Sequence, residues 1–450
     1  MAVWSQIAAS EAFALNRLDA EYFRPENLAL LREVKECEAE QLCSMAFITD
    51  GIHASPEIAS EGGVRYLSAK CVKDNDFTLS HTLFITAEQN ATNKRTQLRP
   101  DDVLITSVGT IGNAAVVQPD FLPANADRHL GIVRLNQDSE LDPYYLASFL
   151  NSRYGRFQTL REATGNVQLN LFIEKIRTLI IPRLPIEQSV AAMTKAAYTT
   201  RKRAEVLYRD AEAILGAALG LDNLDLTPRL FYEDTFVHAA QIGRLDAEYF
   251  SPRMQNVIET LSASKKTTGD VAPLAKRRFK AIPAKPFDYI EIADVGTAGT
   301  ASSSIVLGED APSRATWIVK SGDVITTTVR PIRRLSAIIL PEQDGFVCSS
   351  GFAVLRPRNV EPELLLTYLR LPLVAELLDL YTTASMYPAI STTDLLRIPF
   401  RLPNVEACME IVTKVRESIA ARAESLRLLD EAKRTVEAAI LEGYRHGDRV

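Results

Sequence analysis

Arg17-Leu18-Asp19-Ala20-Glu21-Tyr22-Phe23 is followed by one residue and Pro25, and Arg244-Leu245-Asp246-Ala247-Glu248-Tyr249-Phe250 is followed by one residue and Pro252. The same seven residues return 227 positions later (244 − 17) in a chain of 450, close to its half-length. Chance identity of that length is very improbable, so the sequence reads as two copies of one unit. Two similar units in one chain suggest two similar targets at a fixed separation.

Working outward, the copies keep their order. After each repeat come a short helical stretch and a strand-rich region cut by turn residues such as Gly62-Gly63 and Gly299-Thr300. DDVLITSVGTIGNAAVV (Asp101–Val117) aligns with GDVITTTVRPIRRLSAII (Gly322–Ile339), matching Asp102 with Asp323, Thr106 with Thr327 and Val108 with Val329. Each reads as a buried strand, a loop and a second strand. LDPYYLASFLNS and VEPELLLTYLRL place Asp142 or Glu361 before a proline at the first helical position. Proline-marked exits follow at Ile180–Pro185 and Arg397–Pro403.

Behind each exit lies a long stretch free of breakers. In the first, Ile186, Val190, Met193, Ala197, Thr200, Ala204, Leu207, Ala211, Ile214 and Ala218 alternate steps of four and three. In the second, Cys408, Val412, Val415, Ile419, Arg422, Leu426, Leu429, Lys433, Val436 and Ile440 do the same. That is the heptad seam of a coiled coil, and two such helices in equivalent places are expected to pack on each other. At 1.5 Å per residue, helices of about 34 residues would be about 50 Å long.

Bulk properties exclude some classes. A chain of 450 residues exceeds one ordinary core and predicts two to three domains. Composition is that of a soluble globular protein, 46% apolar and 24% charged. The opening MAVWSQIAASEAFALN lacks the pattern of a signal peptide, and no apolar run reaches membrane-spanning length, so a cytoplasmic location is expected. Five scattered cysteines fit a reducing compartment and give no zinc or disulfide frame. The five histidines show no metal-ligand spacing. There is no GxxxxGK[ST] loop, and Asp142-Pro143-Tyr144-Tyr145 lacks the second proline of an amino-methyltransferase motif. No catalytic residue and no metal ligand is assigned.

The order of unit, exit and long helix, repeated, resembles the specificity (S) subunit of type I restriction–modification systems. The closest likeness is TGNVQLNLFIEKIRTLIIPRLPIEQ (Thr164–Gln188), where Gly165, Gln168, Asn170, Ile176, Ile180, Pro182, Pro185, Glu187 and Gln188 occupy the places of that family's domain-closing motif. Gly109-Thr110-Ile111-Gly112 looks like its G-x-I-G turn. The second half departs: Thr383-Ala384-Ser385-Met386 replaces the glycine-led segment, Arg330-Pro331-Ile332-Arg333 the glycine turn, and Val405-Glu406 the I-E-Q entry.

The resemblance implies an α+β fold. Two tandem α/β target-recognition domains, residues 1–185 and 221–403, would be joined by two long spacer helices, 186–220 and 404–443, forming an antiparallel coiled coil. It implies a non-catalytic subunit that reads double-stranded DNA with two half-sites and docks two adenine methyltransferase subunits. Where a restriction subunit is present, two motor-nuclease subunits join. S-adenosylmethionine and ATP with Mg would then belong to those partners and no cofactor to this chain.

Base readout needs donors and acceptors at base edges, and positioning needs cations on phosphates. The strongest basic run is Lys265–Lys285, with Lys265, Lys266, Lys276, Arg277, Arg278, Lys280 and Lys285 against the single acid Asp270. In a chain of net charge −6 that local reversal favours polyanion contact. The candidate DNA-binding residues are Lys276, Arg277, Arg278, Lys280, Arg330, Arg333 and Arg334 in the second unit. In the first they are Lys94, Arg95, Asn166, Gln168 and Asn170, the amides being suited to adenine. A coiled-coil scaffold binding proteins, without DNA readout, is the alternative.

Overall fold

The computed structural model describes residues 4–15, 17–165, 168–296, 298–383 and 386–447. It is a mixed α+β fold with several small sheets and two long helices. The chain divides into two compact units, Met1–Thr199 with Glu424–Val450, and Thr200–Ala423, so each unit takes part of both long helices.

In the first unit, helices α1 (Ala9–Leu15) and α2 (Pro25–Glu36) precede strands β1 (Ala39–Gln41), β2 (Ala46–Asp50), β3 (Val64–Leu67), β4 (Leu83–Ile85), β5 (Val103–Thr106), β6 (Ala114–Val116), β7 (Ala124–Ala126) and β8 (Leu130–Leu135). Helices α3 (Pro143–Asn151) and α4 (Arg153–Glu162), strand β9 (Ile180–Pro182) and the long helix α5 (Glu187–Leu219) follow. An antiparallel sheet runs β2-β8-β5-β6, and a second runs β4-β3-β7, in which β3 and β7 are parallel. Strand β5, VLIT, is buried along its whole length, as its unbroken apolar run requires.

The second unit contains α6 (Pro252–Ser262), β10 (Lys266–Thr267), β11 (Pro286–Ile290), β12 (Ser304–Leu307), β13 (Ala315–Ile318), β14 (Val324–Thr327), β15 (Ser336–Ile338), β16 (Val347–Ser349) and β17 (Phe352–Leu355). Then come α7 (Pro362–Arg370), α8 (Pro372–Leu380), β18 (Thr382–Thr383), β19 (Ala389–Ile390), β20 (Pro399–Phe400) and the second long helix α9 (Val405–Gly447). Its sheets run β12-β11-β16-β13 and β15-β14-β17, with β18 pairing β19 and β10 pairing β20.

The repeated heptapeptide builds the same knot in each unit. Arg17 pairs with Asp19 at 2.7 Å and lies 4.5 Å over the Tyr22 ring, which meets Phe23 edge-on. Arg244 pairs with Asp246 at 2.7 Å and lies 4.7 Å over Tyr249, which meets Phe250 edge-on. Asp142 caps α3 by accepting the Tyr144 N–H at 2.9 Å, with Pro143 at the first position. Glu361 does not cap α7; it reaches Arg416 at 2.9 Å instead.

Helix α5 starts where Glu187 accepts the Leu184 N–H at 2.9 Å and ends at Gly220, whose φ of 75° suits glycine. Helix α9 starts where Asn404 accepts the Ala407 N–H at 2.8 Å. Within the first unit, Val190 and Ala191 share a core with Ala432, Val436 and Ile440, and the Ser425 hydroxyl donates to the Ala197 carbonyl at 2.8 Å. Within the second, Tyr208, Ala211, Leu215 and Leu219 share a core with Ile411, Val412 and Val415, and the Ser418 hydroxyl donates to the Ala204 carbonyl at 2.7 Å.

The buried stripe keeps Val190, Ala197, Ala204 and Ala211 of the apolar seam in α5, and Val412, Val415, Leu429, Val436 and Ile440 in α9, but differs from it elsewhere. Thr194, Arg201, Tyr208, Leu215 and Leu219 are buried where Met193, Thr200, Leu207, Ile214 and Ala218 were expected. In α9, Ser418, Ser425 and Ala432 are buried, and Leu426 is 55% exposed. Lys433 is no seam residue, for its ammonium meets Asp74 at 2.7 Å. The physical reason is that each helix packs on both the facing helix and the globular core, which widens its buried face. A serine that bonds the facing backbone is small enough to allow close approach. Ser425→Leu should therefore cost about 1–3 kcal/mol through overpacking, whereas Leu426→Ser should stay within about 0.5 kcal/mol of the parent in urea denaturation.

Candidate nucleic-acid interface

In both units a buried aspartate stands just before the central strand and bonds an arginine of the neighbouring chain segment, Arg134 within β8 and Arg356 just past the end of β17. Asp102 accepts two bonds from Arg134, at 2.8 and 2.7 Å, and the Arg99 N–H at 2.8 Å. Asp323 accepts from Arg356 at 2.8 Å and from the Lys320 N–H at 2.8 Å, and also takes Arg277. Residues 103 and 133 pair across one ladder and 324 and 355 across the other, so each clamp sits one step beyond its ladder.

At the far end of each strand a loop emerges and is gripped by a later segment. In the first unit the Ser107 N–H bonds the His129 carbonyl, and the Leu171 N–H bonds the Ser107 carbonyl. Thr164 and Asn170 exchange backbone hydrogen bonds, and Gly165 beside them has a φ of 130°. A Cβ on Gly165 would lie 2.2 Å from the Gln168 carbonyl, which explains the glycine. In the second unit the Thr328 N–H bonds the Gly351 carbonyl and the Ile390 N–H bonds the Thr328 carbonyl. The Arg330 N–H bonds the Pro388 carbonyl at 2.8 Å, zipping the loop to the β18–β19 hairpin.

The sequence-derived candidates separate into outward and inward side chains. Residues 275–280 run extended beside β13: the Ile318 N–H bonds the Arg277 carbonyl and the Phe279 N–H bonds the Thr316 carbonyl. Side chains therefore alternate. Lys276, Arg278 and Lys280 are exposed, with Arg278 5.7 Å from the centre of the Trp317 ring. Arg277 turns inward to Asp323 and the Ile318 carbonyl, and Phe279 packs on Phe287 at 4.6 Å. The Arg277 charge is thus committed to the fold. So is that of Arg334, which bonds Glu212 and the Arg370 carbonyl. Arg333 is exposed, and Arg330 lies over the Tyr387 ring at 5.4 Å.

In the first unit Lys94 is exposed, while Arg95 pairs with Asp50 at 3.3 Å and bonds the Thr49 hydroxyl. Burial would raise the Asp50 carboxyl, but its bond from His53 and the Arg95 charge hold it below the usual carboxylate range. Gln168 is exposed; Asn170 donates its side-chain amide to the Gln168 carbonyl at 3.2 Å; Asn166 lies outside the described residues. Of the segment that replaces the glycine-led motif in the second half, Ala384 and Ser385 lie outside them as well.

Sequence reasoning missed Arg128, exposed beside His53 and His129 because Ile52 and Asp127 pair as neighbours. It also missed Trp317 and Tyr387, which underlie arginines dozens of residues away. Among the described residues no group of three or more His, Cys, Asp or Glu could hold a metal, and no helix is long and apolar enough to cross a membrane.

No family model and no curated protein matches the chain. Among solved structures, the type I restriction–modification S subunit from M. genitalium matches with a TM-score of 0.39 and 12% identity, over 90% of this chain and 95% of that one. The HsdS subunit from Thermoanaerobacter tengcongensis matches at 0.29 and 18%, over 91% and 96%. A structure described as the basis of complex assembly and conformational transition of the type I R-M system matches at 0.29 and 16%, over 90% and 97%.

Replacing Lys276, Arg278 and Lys280 together by alanine should lower affinity for duplex DNA and reduce the slope of log K against log salt by roughly 0.9 for each phosphate no longer neutralised. Arg277→Ala should instead lower stability by about 2–3 kcal/mol, because Asp323 is deprived of a charged hydrogen-bond partner. Salt-titrated filter binding and urea denaturation separate the two effects.

Proposed function

We propose that the chain is a DNA-specificity subunit of the type I restriction–modification kind, with each unit reading one half of a bipartite duplex target. The observation that carries this reading is the matched pair of loops. Asp102 with Arg134 and Asp323 with Arg356 occupy equivalent steps of equivalent ladders. The loops that follow are gripped through equivalent backbone bonds at Ser107 and Thr328. A duplication preserved to that detail supports two modules of one task.

Their side chains suit duplex recognition. The outward row Lys276, Arg278 and Lys280 provides phosphate contacts, and the loop–hairpin tips carry the groups that meet base edges. Within each unit the two long helices meet through a serine hydroxyl on a facing carbonyl, Ser425 on Ala197 in the first and Ser418 on Ala204 in the second, which supports a coiled-coil spacer. In this reading the chain performs no chemistry. Two methyltransferase subunits dock on it and bring S-adenosylmethionine. Motor-nuclease subunits, in systems that cleave, bring ATP and Mg.

A methylation map by long-read sequencing tests the proposal. Cells expressing this chain with a partner methyltransferase are compared with cells expressing the methyltransferase alone. A bipartite methyladenine motif that needs this chain is expected. The same motif with and without the chain would refute the assignment.

A further inference from the structure

The loops that follow the two central strands differ in one respect that the shared architecture does not require. In the first unit the loop turns on Gly109 and Gly112, at φ 78° and 81°. In the second, the corresponding left-handed positions hold Arg330 and Arg334, at φ 50° and 59°. A left-handed conformation is uncommon for a residue with a Cβ, and where it persists the surroundings hold it in place. Arg334 has an internal reason to be there, since its guanidinium bonds Glu212 and the Arg370 carbonyl.

Arg330 has no such reason. Among the described residues no carboxylate pairs with it. Its guanidinium donates to the Met386 carbonyl at 3.1 Å and lies over the Tyr387 ring. Around it Met386 is 77% exposed, Tyr387 67% and Ile332 47%. The result is an uncompensated planar cation, fixed from two sides, with an apolar shoulder facing solvent. A cation that only meets phosphate needs no such fixing, and Arg333 beside it is simply exposed.

We infer that Arg330 is a base-reading residue of the second unit. It recognises a guanine through the O6 and N7 acceptors of the major groove, with Tyr387 as the positioning residue that holds its fork. The apolar shoulder packs against neighbouring base or sugar surface. The first unit, with glycines in that loop and the exposed Gln168 between the paired Thr164 and Asn170 in sequence, uses no arginine there, so the two half-sites are read by different chemistry. This inference rests on the specificity-subunit reading above.

The test is selection from a random-sequence duplex pool by the full-length chain, for the parent and for Arg330→Gly, Arg330→Lys and Tyr387→Ala. Arg330→Gly gives the loop the residue that the first unit has at Gly109, so its urea midpoint should stay near the parent's. The parent should enrich a two-part motif with a guanine in one half. Arg330→Gly should relax that one position by about 5- to 150-fold, leaving the other half-site and the salt slope unchanged. Arg330→Lys should not restore it, because the fork is absent. Tyr387→Ala should weaken preference at that same position. Uniform weakening with a shallower salt slope would make Arg330 a phosphate contact and overturn the inference, as would an unchanged motif. A parent that enriches no motif would overturn the specificity reading itself, and this inference with it.

Discussion

One buried carboxylate per unit fixes where the loop after the central strand emerges. Asp102 and Asp323 are fully buried, which for a carboxylate is costly unless its oxygens are all engaged. Each takes a backbone N–H from its own turn and a guanidinium from the end of the next strand or the residue just past it, so turn, central strand and neighbour are locked at one register. A slip by one residue would break those bonds and turn the inward side chains of β5 or β14 outward. Because the strand is only four residues long, fixing one end fixes the loop at the other.

From that constraint the division of labour among the cations follows. The second unit adds Arg277 to the clamp, which orients the extended segment beside β13 and so turns Lys276, Arg278 and Lys280 outward. Beyond the strand, the loop can carry glycines or arginines without altering the frame, because the frame is held by backbone bonds and by the clamp.

Much of this was legible in the sequence because both halves carry the same signals. The repeated heptapeptide suggested two similar units, and the alignment of Asp102 with Asp323 and Thr106 with Thr327 pointed to the strand that each clamp holds and the loop that follows it. Facing was less legible. A run of basic residues does not declare which will turn inward until its extended path beside β13 is known, so Arg277 looked like its neighbours. Arg334 was likewise grouped with Arg333, although Glu212, more than a hundred residues earlier, takes its charge. The long helices misled for a related reason. Counting apolar residues passed over Ser418 and Ser425, which are buried because they bond a facing carbonyl, and chose Leu426, which is exposed. Tyr387 carried no local signal at all, since its place under Arg330 depends on a loop closed by pairing between residues 329 and 389.

The central claim, two modules each reading its own stretch of duplex, is tested most directly by hydroxyl-radical footprinting of the full-length chain on a duplex selected from a random pool. Two protected patches separated by an open gap are expected, and disabling Lys276, Arg278 and Lys280 should erase one patch while the other persists. A single continuous footprint, or two patches that vanish together, would contradict the account.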